Sequence, residues 1–196
     1  SMNIPTINVD TRWGVPRYNP VLETESYMHN GEELQWIEGD SNILPTDTII
    51  HPLFHRAPLL ARGTGHTKRF VLRVEGKFQK ILRHGNSPST YWWEVKDKNG
   101  TTYYYGKYSN NGGVNQNCIL GKDGKIGVWA LTEVRDVNGN FMRYYYSVDP
   151  FSGRPNDPTP GRQLYLDSVV YTGFGQTNGF YKVVFQSTSH DSIDVS

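Results

Sequence analysis

Three Asn-Gly pairs, Asn99-Gly100, Asn138-Gly139 and Asn178-Gly179, each lie between runs of aromatic and β-branched residues. This constrains the fold more than any other feature, because Asn and Gly accept the left-handed backbone of a tight turn and the flanking residues prefer a pleated surface. The segments WWEVKDKNGTTYYYG, LTEVRDVNGNFMRYYY and VVYTGFGQTNGFYKVVF therefore read as three hairpins. Their Asn residues are spaced 39 and 40 positions apart, which raises the question of a repeat. A propeller blade has about that period but needs four short strands in it. Here each interval holds one long hairpin and a connection rich in Gly, Asn or Pro, KYSNNGGVNQN or DPFSGRPNDPTPG. An array of hairpins on a continuous sheet fits better than blades.

The turn chemistry sets the register. In the first two hairpins the turn is Asp-x-Asn-Gly, with Asp at the first corner and Gly at the fourth. That pattern is a type I turn followed by a left-handed Gly, a three-residue loop with a bulge. It predicts that Asp97 opposes Thr101, Val95 opposes Tyr103 and Trp93 opposes Tyr105. Trp93, Val95, Tyr103 and Tyr105 then share a face expected to be buried. Trp92, Glu94, Lys96, Thr102 and Tyr104 fall on the other. The same register pairs Val134 with Met142, Thr132 with Tyr144, and Glu133 with Arg143 as a cross-strand ion pair. A two-residue loop would mix polar and apolar residues on each face. The third hairpin lacks the Asp and departs from the pattern.

Upstream, KRFVLRVEG and KFQKILRHG form two alternating runs broken at Gly76, with Phe70, Leu72 and Val74 on one face and Phe78 and Ile81 on the next strand. Residues 1–65 are rich in Pro and turn residues and read as an extended segment wrapping over a core, with short pieces such as Glu33 to Glu38 extended. Residues 66–196 read as the hairpin array, forming one compact domain with the first segment. Twenty glycines, eleven prolines and thirteen tyrosines oppose helix throughout. The expected class is all-β: antiparallel hairpins in a curved sheet or sandwich-like array with long Gly/Pro-rich connections and little helix.

Several function classes find no support in the residues. Lys plus Arg (20) nearly balances Asp plus Glu (19), without a long block of one sign, so no nucleic-acid surface is indicated. No apolar run approaches the roughly 18 residues of a membrane-spanning helix. The single cysteine, Cys118, lies in a Gly/Asn-rich stretch and reads as inert rather than reactive. Asp136-Val137-Asn138-Gly139-Asn140 begins like a cation loop, but no distal bidentate Glu follows, and turn chemistry is the preferred reading. His51 and His55 are four apart, yet Pro52 and Pro58 oppose the helix that would bring them to one metal. Glu94 and Glu133 occupy equivalent places in two hairpins and could form a glycosidase pair; the plainer reading makes each a solvent-facing strand residue with a basic neighbour. No GxSxG, P-loop or GxGxxG sequence occurs. The expectation is a non-enzymatic chain with no cofactor and no metal.

Five stretches, in order, carry a family resemblance: WGVPRYNP, ETESYMHNGEEL, RFVLRVEGKFQKILRHG, SPSTYWWEVKDKNGTTYYYG and WALTEVRDVNGNFMRYYY. They resemble the N-terminal region of the plasmid virulence B protein of Salmonella and of the B component of insecticidal toxin complexes, from about Trp13 to Phe185. The resemblance implies a secreted toxin or virulence protein in which this region begins a long β-sheet shell. Related tyrosine-and-aspartate (Rhs/YD-like) hairpin repeats build that shell around a toxic C-terminal polypeptide. It implies as partners the remainder of the same longer chain and the C and A components of the toxin complex. The opening Ser1-Met2 reads as a cloning remnant, and the tail HDSIDVS resembles the point where family members continue into further strands. The Salmonella relative carries a separate ADP-ribosyltransferase domain whose motif runs Arg, Ser-Thr-Ser, Glu-x-Glu. This chain has Glu23-Thr24-Glu25 and Ser187-Thr188-Ser189 in the reverse order, so no catalytic residue is carried over. The alternative is a carbohydrate or cell-surface binding module, for which Trp92 and Tyr104 are the candidate contact residues.

Overall fold

Strands account for all the regular structure among the described residues, as the Gly, Pro and Tyr content requires. The computed structural model describes residues 5–36, 48–49, 59–60, 62, 67–72, 79–109, 117–121, 123–151 and 161–186. In chain order the strands are β1 (Thr6–Val9), β2 (Tyr27–His29), β3 (Glu32–Trp36), β4 (Thr48–Ile49), β5 (Leu59–Leu60), β6 (Thr67–Leu72), β7 (Lys80–His84), β8 (Trp92–Lys96), β9 (Thr102–Tyr105), β10 (Cys118–Leu120), β11 (Ile126–Arg135), β12 (Asn140–Phe151), β13 (Gly161–Phe174) and β14 (Tyr181–Val184). All pairings are antiparallel. β4 and β5 form a separate two-stranded ladder, and the other twelve strands form one sheet.

The sheet closes on itself. The path β1-β2-β3-β6-β7-β8-β9-β11 returns to β1, because β11 pairs with β9 through residues 131–135 and with β1 through Val128, Trp129 and Ala130. An eight-stranded barrel results, which removes the open edges a curved sheet would keep. Ala130 donates to Asn117 O at 3.0 Å and accepts from Gly106 N at 3.3 Å, so β10 and β9 lie end to end along one edge of β11. β1 and β12 divide the other edge. From there β12, β13 and β14 leave the barrel as a meander. The change of partner falls at a bulge at Thr132, whose hydroxyl lies 2.8 Å from Tyr104 O and 2.6 Å from Lys107 O.

Alternation fills the interior. Ile7, Tyr27, Leu34, Phe70, Ile81, Trp93, Val95, Tyr105 and Trp129 all point inward and are buried. Tyr27 meets Trp93 edge-on with ring centroids 4.9 Å apart, Phe70 lies 5.2 Å from Trp93, and Trp129 lies 5.8 Å from it. These are the offset geometries aromatic quadrupoles favour, worth about 0.5–1.5 kcal/mol per pair beyond burial. Trp129 Nε1 donates to Tyr91 O at 2.7 Å, which fixes the base of the cluster. Ile7, Tyr27 and Leu34 come from the first 65 residues, so that part of the chain supplies barrel wall as well as connections.

The predicted register holds in the first two hairpins, except that the β11–β12 ladder stops at Glu133–Arg143 and does not include the expected Thr132–Tyr144 pair. Val95 faces Tyr103, Trp93 faces Tyr105, Val134 faces Met142 and Glu133 faces Arg143. Asp97 N donates to Thr101 O, Asp97 Oδ1 accepts from Asn99 N and Thr101 N, and Gly100 takes φ +86°; Asp136 and Gly139 (φ +89°) repeat the arrangement. The third hairpin differs. Tyr171 pairs with Tyr181, and the turn runs over Phe174 to Thr177 with Gly175 at φ +60°, so Asn178-Gly179 lies on the return limb rather than at the corner. Without an Asp to accept the turn amides, the Asn-Gly pair does not set that turn. Phe70 opposes Ile81 in β6–β7, while Val74, Gly76 and Phe78 lie outside the described residues, as do His51 and His55.

Candidate functional site

Trp92 and Tyr104, the two candidate contact residues, project from the outer wall of the barrel on β8 and β9, and both are half-buried. Neighbouring side chains pack on the Trp92 ring. His84, opposite it on β7, stacks on the indole at 4.0 Å between centroids and 14° between planes. The Lys107 ammonium lies 5.0 Å from the Trp92 ring centroid, in cation–π geometry. His84 Nε2 is 3.6 Å from Glu94, and the imidazole holds that carboxyl below its usual range. Tyr104 stands in register between Glu94 on β8 and Glu133 on β11. Burial pushes its hydroxyl pKa up, and the two carboxylates add to the effect.

That register also decides the carboxylate pair. Glu94 and Glu133 sit two strands apart on one sheet face, about 10 Å by strand spacing, with Tyr104 between them rather than a cleft. Glu133 is not solvent-facing, as expected of it, but fully buried. Its two oxygens accept from Arg135 Nε and Arg143 Nε, each at 2.9 Å, and from the Ser109 hydroxyl. The covering comes from segments distant in sequence. Arg143 Nη1 donates to Asn178 Oδ1 and Arg135 Nη1 to Gly175 O at 2.8 Å, which ties the β13–β14 turn over the β11–β12 hairpin. This arrangement is a clamp, since both carboxylate oxygens are engaged and closed off from substrate.

A second buried charge cluster lies at one end of the barrel, under the connection between β1 and β2. Glu23 pairs with Lys68 at 3.0 Å and with Arg83, while Glu25 pairs with Arg62 at 2.9 Å. Glu23, Arg62, Lys68 and Arg83 are buried, and the Glu25 side chain is 8% exposed; Arg62 also donates to the carbonyls of Asn19 and Leu22 and to the Tyr91 hydroxyl. Arg83 donates to Tyr27 Oη at 3.0 Å and stacks 3.9 Å over the Tyr91 ring. Burial opposes the Arg83 charge, but Tyr27, Glu23 and Tyr91 more than offset it, so the guanidinium is held above its ordinary pKa. Burial lowers Lys68, despite Glu23 beside it. The residues that echoed a transferase motif, Glu23 and Glu25, thus hold a strap onto the barrel. The motif reading of the sequence passed over this cluster, yet strand parity carried the signal: Lys68 falls on the same face as Phe70 and Leu72, and Arg83 on the face of Ile81.

Among the described residues, no three His, Cys, Asp or Glu side chains group to hold a metal ion, and no helix is long and apolar enough to cross a membrane. Cys118 is buried against Gly106, and burial raises its thiol pKa, which disfavours the reactive thiolate.

Comparison with known proteins places this barrel. The solved N-terminal domain of the effector protein SpvB from Salmonella typhimurium superposes with a TM-score of 0.57 at 19% identity, covering 86% of this chain and 51% of that one. A crystal structure of TcdB2-TccC3 gives a TM-score of 0.57 at 21% identity over 86% of this chain and 8% of the other. The Tc holotoxin pore of Photorhabdus luminescens gives 0.57 at 20% identity over 87% and 8%. The chain therefore spans about half of the SpvB structure and under a tenth of the toxin-complex chains, and at these identities the likeness is one of fold. No curated protein matches the sequence at a significant level. The family described as the Salmonella virulence plasmid 65 kDa B protein matches residues 1–191, and the chain belongs to that SpvB family.

Proposed function

We propose that the chain is a non-catalytic structural segment of a secreted toxin or virulence protein, contributing a barrel to the β-sheet shell that encloses or presents a toxic C-terminal polypeptide. The observation that carries this reading is the packing of the barrel, in a chain of the SpvB family. Trp93, Trp129, Tyr27 and Phe70 fill its interior, and buried ion pairs fasten the strap across one end. A closed wall with a packed centre transmits shape and holds its neighbours in place. Its partners in this reading are the rest of its own polypeptide and the C and A components of a toxin complex. The sugar-binding alternative would use Trp92 and Tyr104, and the stacked His84 and the Lys107 ammonium 5.0 Å from the Trp92 ring favour the structural reading over it.

The test is the intact gene product. Its C-terminal polypeptide is expected to resist protease while the shell is folded and to become cleavable when Trp93→Ala opens this barrel. A native product of ordinary domain size, or hydrolase or transferase activity residing in the 196-residue chain, would overturn the reading.

A further inference from the structure

Asn178-Gly179, displaced from the corner of its hairpin, keeps a reactivity that the first two turns suppress. In an Asn-Gly peptide the glycine nitrogen can attack the asparagine side-chain carbon, and glycine carries no side chain to obstruct the approach. In the first two hairpins that nitrogen is engaged: Gly100 N donates to Asp97 O at 3.1 Å and Gly139 N to Asp136 O at 3.3 Å. Gly179 N makes no backbone hydrogen bond among the described residues. Packing also requires glycine there, since a Cβ on residue 179 would lie 1.6 Å from Tyr171 O. Asn178 is exposed to water, yet its Oδ1 accepts from Nη1 of Arg143, a side chain only 10% exposed. A guanidinium in that place draws electrons from the amide carbon and stabilises an oxyanion formed on Oδ1. Asn30-Gly31, in the β2–β3 turn, has the neutral Thr6 N on its Oδ1 at 3.3 Å, and Asn111-Gly112 lies outside the described residues.

We propose that Asn178-Gly179 is a site of self-catalysed deamidation in the folded protein, with Arg143 as the oxyanion donor, and that the carboxylate formed tightens the clamp around Glu133. Gly179 N gives up its proton to water or hydroxide and bonds to Asn178 Cγ, and the negative charge passes to Oδ1 beside Arg143. The Cγ–Nδ2 bond then breaks, and Nδ2 takes up a proton and leaves as ammonia. A cyclic imide remains. Water opens it at Cγ to give aspartate, or at the residue 178 carbonyl carbon to give isoaspartate; one water enters for one ammonia lost, with no oxidant or reductant. Either product carries a carboxylate at position 178. Arg135 and Arg143 share Glu133, and Arg135 Nη1 also holds Gly175 O at 2.8 Å in the same turn. A carboxylate at 178 therefore adds negative charge beside these cations and turns the Arg143 contact from charge–dipole into an ion pair.

Peptide mapping by mass spectrometry, on protein incubated in mildly alkaline buffer with and without urea, tests this. In the folded protein the amide-to-acid mass gain is expected at Asn178 about tenfold or more faster than at Asn30, Asn99 and Asn138, whereas in urea all of these are expected to react at similar rates. Arg143→Lys keeps a cation for Glu133 but lacks the planar fork that reaches Glu133 and Asn178 together, so the folded-state rate at Asn178 is expected to fall to that of the other pairs. Slow reaction at Asn99 and Asn138 in the same variant shows that it is folded. Asn178 reacting no faster than Asn99 and Asn138 in the folded protein would overturn the proposal, as would a rate at Asn178 that a folded Arg143→Lys leaves unchanged. Asn178→Asp installs one product directly and is expected to raise the urea midpoint; a lowered midpoint would overturn the tightening of the clamp.

Discussion

Glu133 accepts a hydrogen bond from Arg143 Nε at 2.9 Å across the β11–β12 ladder, and no part of Glu133 reaches solvent. Arg135 Nε takes the other oxygen at 2.9 Å, so one carboxylate is shared by two guanidinium groups that also hold the 175–178 turn. Removing it takes the shared carboxylate away from both guanidinium groups. Glu133→Ala is expected to cost about 3–5 kcal/mol, while Glu133→Met combined with Arg143→Leu should cost less than the two single changes added together. Urea unfolding of Glu133→Ala, of Glu133→Met and Arg143→Leu singly, and of their combination checks this; additive losses in the last three would show that the pair acts as two independent residues.

Buried tyrosines set the alkaline limit of stability. Tyr27, Tyr91 and Tyr105 are at most 2% exposed, and burial raises the pKa of each, with neighbouring charges secondary. Because the folded pKa lies above the unfolded one, the stabilisation is complete below about pH 10 and is lost as pH rises above it. In that window the unfolded chain has released protons that the folded chain retains. Tyr27 and Tyr105 together remove about 2 kcal/mol between about pH 10 and 11, and Tyr91 acts in the same direction. Lys68 works in the opposite direction: burial lowers its pKa, so its contribution rises with pH, but it is one group against three. The urea midpoint is expected to fall steeply between about pH 10 and 11. A flat profile there would mean that the tyrosines ionise in the folded state.

The local geometry was readable from the sequence wherever turn chemistry and alternation agreed. Asp97 and Gly100 set a bulged loop, that loop fixes Trp93 opposite Tyr105, and parity then buries both. Closure of the barrel was not readable, since Ile7 meets Trp129 across most of the chain and neither residue's surroundings specify the other. The burial of Glu133 is hidden from the sequence for a related reason. Its strand position says which face it is on, but the cover comes from Ser109, Gly175 and Asn178, brought over by tertiary contacts. The third turn failed because Asn178-Gly179 lacks the preceding Asp that anchors the other two, and the chain turned earlier, at Gly175.

Asp97 anchors the first turn through Oδ1, which accepts from Asn99 N at 2.8 Å and Thr101 N at 3.0 Å. Asp97→Ala removes both bonds from an exposed turn where water can replace them in part, so a loss of about 1 kcal/mol is expected. Asp97→Asn keeps an oxygen at the same place and should retain most of that stability. Equal losses for the two variants, measured by thermal unfolding, would show that the charge rather than the hydrogen-bonding geometry matters.

Gly106 and Gly124 separate backbone strain from packing. Both take positive φ, +78° and +74°, but a Cβ at Gly124 meets nothing within 4 Å, whereas one at Gly106 would lie 2.5 Å from Trp129 Cδ1 and 3.2 Å from Cys118 Sγ. Gly124→Ala therefore carries the left-handed backbone cost alone, roughly 1–2 kcal/mol. Trp129 cannot swing aside, because it is fully buried, packed against Trp93 and bonded through Nε1 to Tyr91 O. Gly106→Ala adds overpacking to the same backbone cost, for a total of about 3 kcal/mol or more. The indole N–H resonance of Trp129 should shift in Gly106→Ala and stay in place in Gly124→Ala. Similar destabilisation in both variants, with that resonance unmoved, would show that the Trp129 pocket has room the packing denies it.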